Sequence, residues 1–224
     1  MRPPTITIDG PSGTGKGTLA VRLTQRLGWH LLDSGAFYRV VAYVAQGDSV
    51  ALDCAHDLAA IAASLPLEFH VDGDDIQIRL DGLDVTRDIR SETAGSAASI
   101  VAAVPAVRVA LLARQREFLR LPGLVADGRD MGTVVFPQAE LKIFLTANAS
   151  VRAGRRYKQL KQKGIGVNLA RLSEDITARD RRDEQREVSP LQPASDAKIL
   201  DTTALDIDAV EESVLALAQE RGLS

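Results

Sequence analysis

Apolar and polar positions alternate at the start of the chain, in Thr5-Ile6-Thr7-Ile8-Asp9, and this β-branched run predicts a strand. A glycine-rich turn follows. Leu19, Leu23 and Leu27 then fall on one face of a helix predicted from about Lys16 to Leu27. Leu31-Leu32 predicts a short strand. Ser34 is placed to cap a helix running through Tyr38, Val41 and Val44 to a stop at Gly47, and Asp53 to cap another from Cys54 to Ser64.

The period then changes from helical to two. Leu67, Phe69 and Val71 alternate with polar residues, Asp72-Gly73 turns the chain, and Ile76, Ile78 and Leu80 alternate again before Asp81-Gly82 leads to Leu83 and Val85. Two Asp-Gly turns between such runs predict a three-stranded antiparallel meander, a small β insert over residues 65–95. Afterwards helices are predicted at Ala94–Ala103, Val107–Leu121, Ser150–Lys163, Leu169–Glu187 and Ile207–Glu220. The strands Leu124–Asp127, Leu141–Leu145 and Lys198–Asp201 lie between them. Apolar strands alternating with helices predict an α/β fold, a parallel sheet covered on both faces in three layers. No internal repeat or low-complexity tract interrupts it.

Composition narrows the class. With 224 residues, 45% apolar and 25% charged, the chain fits one domain with an insert and is unlike disordered or fibrous sequences. A net charge of −3 argues against a protein held on nucleic acid by phosphate neutralisation. That total hides an asymmetry: in 152–187 eleven Lys and Arg stand against six Asp and Glu, so the remainder of the chain carries −8. The stretch lacks interleaved stacking aromatics beyond Tyr157, which again disfavours nucleic acid. Cys54 is alone, so no intrachain disulfide forms, and His30, His56 and His70 are scattered without zinc spacing. No signal peptide or membrane-spanning run is visible, and the expectation is a cytoplasmic protein.

The glycine-rich turn carries the first chemistry. Gly10-Pro11-Ser12-Gly13-Thr14-Gly15-Lys16-Gly17-Thr18 stands between the first strand and the first helix. Glycines let successive amides face inward, the helix N-terminus adds partial positive charge, and Lys16 can reach the outer phosphates of a nucleoside triphosphate. Gly17 takes the place where the general motif puts a metal-binding hydroxyl, which comes one residue later at Thr18. A guanine-reading Asn-Lys-x-Asp segment is absent, which argues against a regulatory GTPase.

Three further motifs are more specific: Leu31-Leu32-Asp33-Ser34-Gly35-Ala36-Phe37-Tyr38-Arg39, the run Ala126-Asp127-Gly128-Arg129-Asp130-Met131-Gly132-Thr133, and Arg179-Asp180-Arg181-Arg182-Asp183 with Arg186 beyond. With the phosphate loop and the insert, they make the whole chain resemble the bacterial cytidylate kinases, a family of P-loop nucleoside monophosphate kinases. The resemblance implies phosphoryl transfer from ATP to CMP and dCMP, with Mg2+, by a monomer that binds neither nucleic acid nor membrane. It implies that Ser34, Arg39, Arg129 and Arg186 hold the acceptor phosphate. Ser99, Arg108 and Asp130 would meet the base, Arg179 and Asp183 the sugar, and Asp127 with Thr18 the metal. It also implies that 152–187 forms a helical lid broken at Gly164, Gly166 and Asn168, from which Arg182 and Arg186 join Lys16 in catalysis. One of Arg152, Arg155 and Arg156 would stack on adenine, and the insert would either close over the acceptor, pack for stability or face a partner. Arg22, Arg120, Arg155 and Lys161 read better as solvated surface residues. An enzyme for another small acceptor such as UMP, and a phosphate-loop switch acting through a partner, are the competing classes.

Overall fold

The computed structural model describes residues 2–73, 75–162, 164 and 166–223. In chain order its elements begin β1 (Thr5–Asp9), α1 (Lys16–Leu27), β2 (His30–Asp33), α2 (Ser34–Gly47), α3 (Ala55–Ser64), β3 (Leu67–Asp72), β4 (Asp75–Leu80) and β5 (Leu83–Asp84). They continue α4 (Glu92–Val101), α5 (Pro105–Arg116), β6 (Leu124–Gly128), β7 (Leu141–Thr146), α6 (Ala149–Gln162), α7 (Leu169–Glu184), β8 (Lys198–Asp201) and α8 (Ile207–Gln219). A π-helical turn, Met131–Val135, follows β6.

Five strands form one parallel sheet in the order β2-β6-β1-β7-β8. All five residues of the central β1 are buried, as are five of the six in β7, so helices cover both faces, as the runs of apolar residues predict. The insert is the predicted meander, β3-β4-β5, with Gly73 and Gly82 at positive φ in its turns. Ile76, Ile78 and Val85 of this meander join the same core as Ile6, Leu32 and Val125 of the main sheet. An aromatic triad fastens the insert to α2 and to the segment after α5. Phe37 of α2 lies 5.9 Å from Phe69 of β3 and 5.8 Å from Phe118 after α5, and Phe69 is 5.3 Å from Phe118. The pair α6 and α7 has a separate small core of Ala153, Leu160, Leu172 and Ile176.

Several boundaries differ from the expectation for identifiable reasons. The cap of α2 is Asp33, whose Oδ1 accepts from the Ala36 N–H at 3.1 Å, while Ser34 sits inside the first turn. The cap of α3 is Cys54 rather than Asp53, because the Leu58 N–H closes the first turn on the Cys54 carbonyl. Helix α5 starts two residues earlier than expected, since Pro105 at its first turn presets the helical φ. It stops at Arg116 because i to i−3 bonds from Phe118 and Leu119 tighten the chain and turn Phe118 inward. Helix α7 stops at Glu184, beyond which the Leu191 N–H returns to the Asp183 carbonyl at 2.8 Å. The predicted break between the basic helices is present, with Gly164 at φ 73 and the Asn168 side chain capping α7 through the Arg171 N–H at 3.1 Å. Lys163, expected at the end of α6, lies outside the described residues.

Because Phe37 is 1% exposed where α2 meets the insert, Phe37→Ala is expected to cost about 3–5 kcal/mol. Urea denaturation monitored by circular dichroism measures it, and a loss below about 1 kcal/mol would mean the triad does not fasten the insert.

Candidate active site

The phosphate loop is shaped by close approach. Gly10 has φ 143, and a Cβ there would lie 2.2 Å from the Leu145 carbonyl oxygen, so only glycine lets the loop leave β1 past β7. Gly13 has φ 81, and a Cβ there would lie 2.9 Å from both Arg152 Cβ and the Arg152 carbonyl, which packs the loop directly on α6. Lys16 folds back so that Nζ donates to the Pro11 carbonyl at 2.8 Å, and Thr14 Oγ1 donates to the same oxygen at 3.1 Å. Burial and the nearby Arg129 guanidinium lower the Lys16 ammonium to about 7, against the pull of Asp127. Asp127, in the last turn of chain before β6 ends, is pushed up to about 6 by burial, with Lys16 opposing. Its Oδ2 lies 3.6 Å from the position a Cβ on Gly17 would take. Thr18 is exposed on the first turn of α1.

Beside the loop, a cavity opens where β2 and β6 end. Its lining includes Ser34 and Tyr38 of α2, Ser99 of α4, Arg108 of α5, Arg129 and Asp130 after β6, and Arg179, Asp183 and Arg186 on and beyond α7. Eight of the nine expected substrate residues therefore meet in one place. Arg108 Nη2 donates to Asp130 Oδ2, with both residues buried, and Arg108 Nη1 donates to the Ala102 carbonyl at 3.1 Å. The Arg108 guanidinium carbon sits 5.4 Å from the centre of the Tyr38 ring. Asp183 accepts from Arg129 Nε at 3.1 Å and from Ser99 Oγ at 3.4 Å. Burial pushes the Asp183 carboxyl up, but Arg129, Arg179 and Arg186 outweigh it and hold it below the usual range.

Arg39, the ninth, is not in that lining. Its Nη1 donates to the carbonyls of Ile89 at 2.8 Å and Ser91 at 3.3 Å. It nevertheless reaches the same cation cluster over Gly95, where a Cβ would lie 3.2 Å from Arg39 Nη2 and 3.3 Å from Arg179 Nη1. Burial and neighbouring cations lower Arg179 to about 9; burial lowers Arg39 to about 10. Arg108 Nε, Arg179 Nε and Arg186 Nη2 are buried donors with no acceptor among the described residues. Buried, unpaired guanidinium N–H groups converging on a cavity are complementary to anionic oxygens.

The basic helices are tied to the loop. Arg152 of α6 donates to Ser12 O at 2.9 Å, to Ala147 O at 3.0 Å and to Asp180 of α7, whose Oδ1 accepts from the Ser12 N–H at 3.4 Å. Arg155 is not a free surface residue: it donates to Thr202 Oγ1 at 2.9 Å and Leu205 O at 3.0 Å, holding α6 against the start of the last connection. Arg22 likewise pairs with Asp208 and with Glu211 at 3.1 Å on α8, whereas Arg120 and Lys161 are exposed as expected. Arg156 pairs with Glu92 at 2.8 Å, so all three arginines left open for adenine have protein partners. Arg182 donates to the Ala178 carbonyl at 3.3 Å within its own helix and does not line the cavity.

Reading by motif missed Asp180, Arg152 as its partner, and Tyr38 beneath Arg108. A signal for Asp180 was present: Leu172, Ile176, Asp180 and Asp183 form the buried stripe of α7, two apolar and then two acidic positions at helical spacing. No group of three or more His, Cys, Asp or Glu among the described residues could hold a metal by itself. The Asp127 carboxylate beside the phosphate loop fits Mg2+, which takes one or two carboxylates and fills its shell with phosphate oxygens and water.

Comparison with known proteins places the chain in a family. Residues 6–220 match the family model described as cytidylate kinase. A cytidylate kinase of Aeromonas hydrophila is 56% identical over 218 residues, covering 97% of this chain and 95% of that protein. One of Pseudomonas fluorescens is 57% identical, covering 96% of this chain and 95% of that protein. Among solved structures, an uncharacterized protein from Eubacterium ventriosum has a TM-score of 0.52 at 11% identity, covering 97% of this chain and 98% of that one, a likeness of fold alone. Matched from within β1 to past the end of α8, the chain belongs to the cytidylate kinase family.

Proposed function

We propose that the protein transfers the γ-phosphoryl group of ATP to CMP and to dCMP, giving ADP and CDP or dCDP. The observation that carries this reading is the buried Arg108–Asp130 pair in a cavity that also holds Arg129, Arg179 and Arg186, beside the phosphate loop. Cytosine offers an exocyclic amine as donor and O2 and N3 as acceptors, which a carboxylate beside a guanidinium complements. Uracil presents a carbonyl where that amine stands and would meet Asp130 acceptor to acceptor.

The residues divide the remaining work. The amides and glycines of 10–18 cradle the donor phosphates, and Lys16 neutralises the outer ones. Ser34, Arg39, Arg129 and Arg186 hold the acceptor monophosphate; Ser99 joins Arg108 and Asp130 at the base, and Arg179 with Asp183 meets the sugar. An acceptor phosphate oxygen attacks the γ-phosphorus in line, one P–O bond forms as the β–γ bridge breaks, and ADP leaves. No side chain is needed as a covalent carrier. Asp127, with Thr18, would hold Mg2+, which when bound neutralises charge on the donor phosphates. Closure of 152–187 excludes water, and Arg182 and Arg186 then complete the charge clamp. In this reading the protein acts as a monomer on small nucleotides. The compartment proposed for this activity is the cytoplasm.

Three measurements test the reading. In a coupled assay with ATP and Mg2+, CMP and dCMP are expected to support turnover, with UMP lower in kcat/KM by at least about tenfold, the worth of one mismatched buried polar contact. Equal use of CMP and UMP would sink the base assignment. Arg186→Ala is expected to lower kcat by about 100-fold or more while the Kd for ATP changes less than about twofold; unchanged turnover would remove Arg186 from the clamp. Finally, burial and Arg129 lower the Lys16 ammonium to about 7, and bound phosphate oxygens favour its charged form. ATP binding at pH 8 should therefore take up protons, seen by calorimetry in buffers of different ionisation enthalpy. Lys16→Met should abolish the uptake.

A further inference from the structure

Asp9, the last residue of β1, is 5% exposed, and the transfer chemistry makes no use of its carboxylate. Both oxygens are engaged from one side. Oδ1 accepts from the Met131 N–H and Oδ2 from the Gly132 N–H, each at 2.8 Å. These two amides open the π-helical turn Met131–Val135, and the first amides of any helical turn lack partners within it. Asp9 supplies those partners from a different strand, so it caps the turn at long range.

The residue just ahead of the two amides is Asp130. Its backbone has φ −145 and ψ 24, and its carbonyl accepts from the N–H groups of Val134 at 2.9 Å and Val135 at 3.2 Å. Its side chain holds Arg108. Asp130 is thus fixed through its carbonyl, through the amides that follow it, and through its carboxylate. The turn has no slack on the Asp9 side: a Cβ at Gly132 would lie 2.9 Å from Thr7 Oγ1 and 3.3 Å from Asp9 Oδ2. Asp9 is also bonded directly to Gly10, the first residue of the phosphate loop. One carboxylate therefore joins the root of the donor loop to the turn that presents the base-reading residue.

We infer that Asp9 is a positioning residue for acceptor choice: by holding the Met131 and Gly132 amides it sets Asp130 against the cytosine ring, and thereby sets the preference for CMP over UMP. The inference deepens the CMP reading above and rests on it. A residue serving only the phosphate loop would affect ATP; a residue serving the Asp130 turn affects the base.

The test uses the full chain with ATP, Mg2+, CMP and UMP. Asp9→Asn keeps the shape, but its amide can accept from only one of the two N–H groups and sets a donor against the other. Loss of one such buried bond is expected to raise the KM for CMP about tenfold and lower the CMP-to-UMP ratio of kcat/KM about tenfold, with the KM for ATP within about twofold of the starting protein. Gly132→Ala, which displaces the same turn with Asp9 intact, is expected to give the same split, and it decides the matter if the Asp9→Asn chain does not fold. The inference is overturned if the ratio stays within about twofold, or if the KM values for ATP and CMP rise together at an unchanged ratio. Asp130→Asn separates the two levels. If it leaves the ratio unchanged, the base reading falls and this inference with it; if it collapses the ratio while Asp9→Asn and Gly132→Ala do not, the inference alone falls.

Discussion

Like charges brought together out of water repel, and this protein gathers Lys16, Arg39, Arg108, Arg129, Arg179 and Arg186 around one cleft. The consequences are graded by partner. Arg108 and Arg129 lose solvation on burial, yet Tyr38 with Asp130 at the first, and Asp183 with Asp127 at the second, hold both guanidinium groups above their ordinary value. Lys16, Arg39 and Arg179 have weaker compensation and are depressed. The paired cations fix the walls of the site, and the depressed ones are held in wait for anions. A site fully neutralised by its own carboxylates would have nothing left for five or more phosphate oxygens.

Parallel sheet topology makes this gathering possible. Each strand ends on the same edge, so Asp9 of β1, Asp33 of β2 and Asp127 to Gly128 of β6 come side by side with Asp33 opposite Asp127 and Asp9 opposite Gly128. That edge is where the loop, the α2 start and the 129–132 segment all emerge. The insert adds the other constraint. Phe69 and Phe118 clasp Phe37, which lies one helical turn after Ser34 and next to Tyr38, so the meander helps set where α2 lies without donating a side chain to the cavity lining.

What the sequence disclosed follows from the range of the interactions. The bounds of β1 and α1 were legible because an apolar alternation, a glycine run and a leucine stripe are local signals. So was the meander, whose Asp-Gly turns need only their own positive φ. Asp33 and Ser34 are both capping residues, and nothing local decides between them; tertiary structure does, because Ser34 is 3% exposed and faces the cavity. The π-helical turn at 131–135 was not legible at all. It has no helical periodicity, and its cap lies 122 residues away in Asp9. For the substrate residues, motif resemblance brought eight to one cavity, but it carried no information on which arginines are already engaged. Arg155 is an instance: its bonds to Thr202 and Leu205 depend on how β8 follows α6 in space.

Asp180 shows how the two halves of the site are joined. It lies one residue after Arg179 and three before Asp183, on the buried stripe of α7. Arg179 and Asp183 line the cavity, while Asp180 itself reaches the Ser12 amide and Arg152 at the phosphate loop. The three side chains stand within about one turn of a single helix, so their spacing is set by helix geometry. Asp183 in turn holds Arg129 and Ser99, which also line the cavity. The phosphate loop and the cavity are therefore bridged by one turn of α7, because neighbouring positions on its buried stripe take partners on each side.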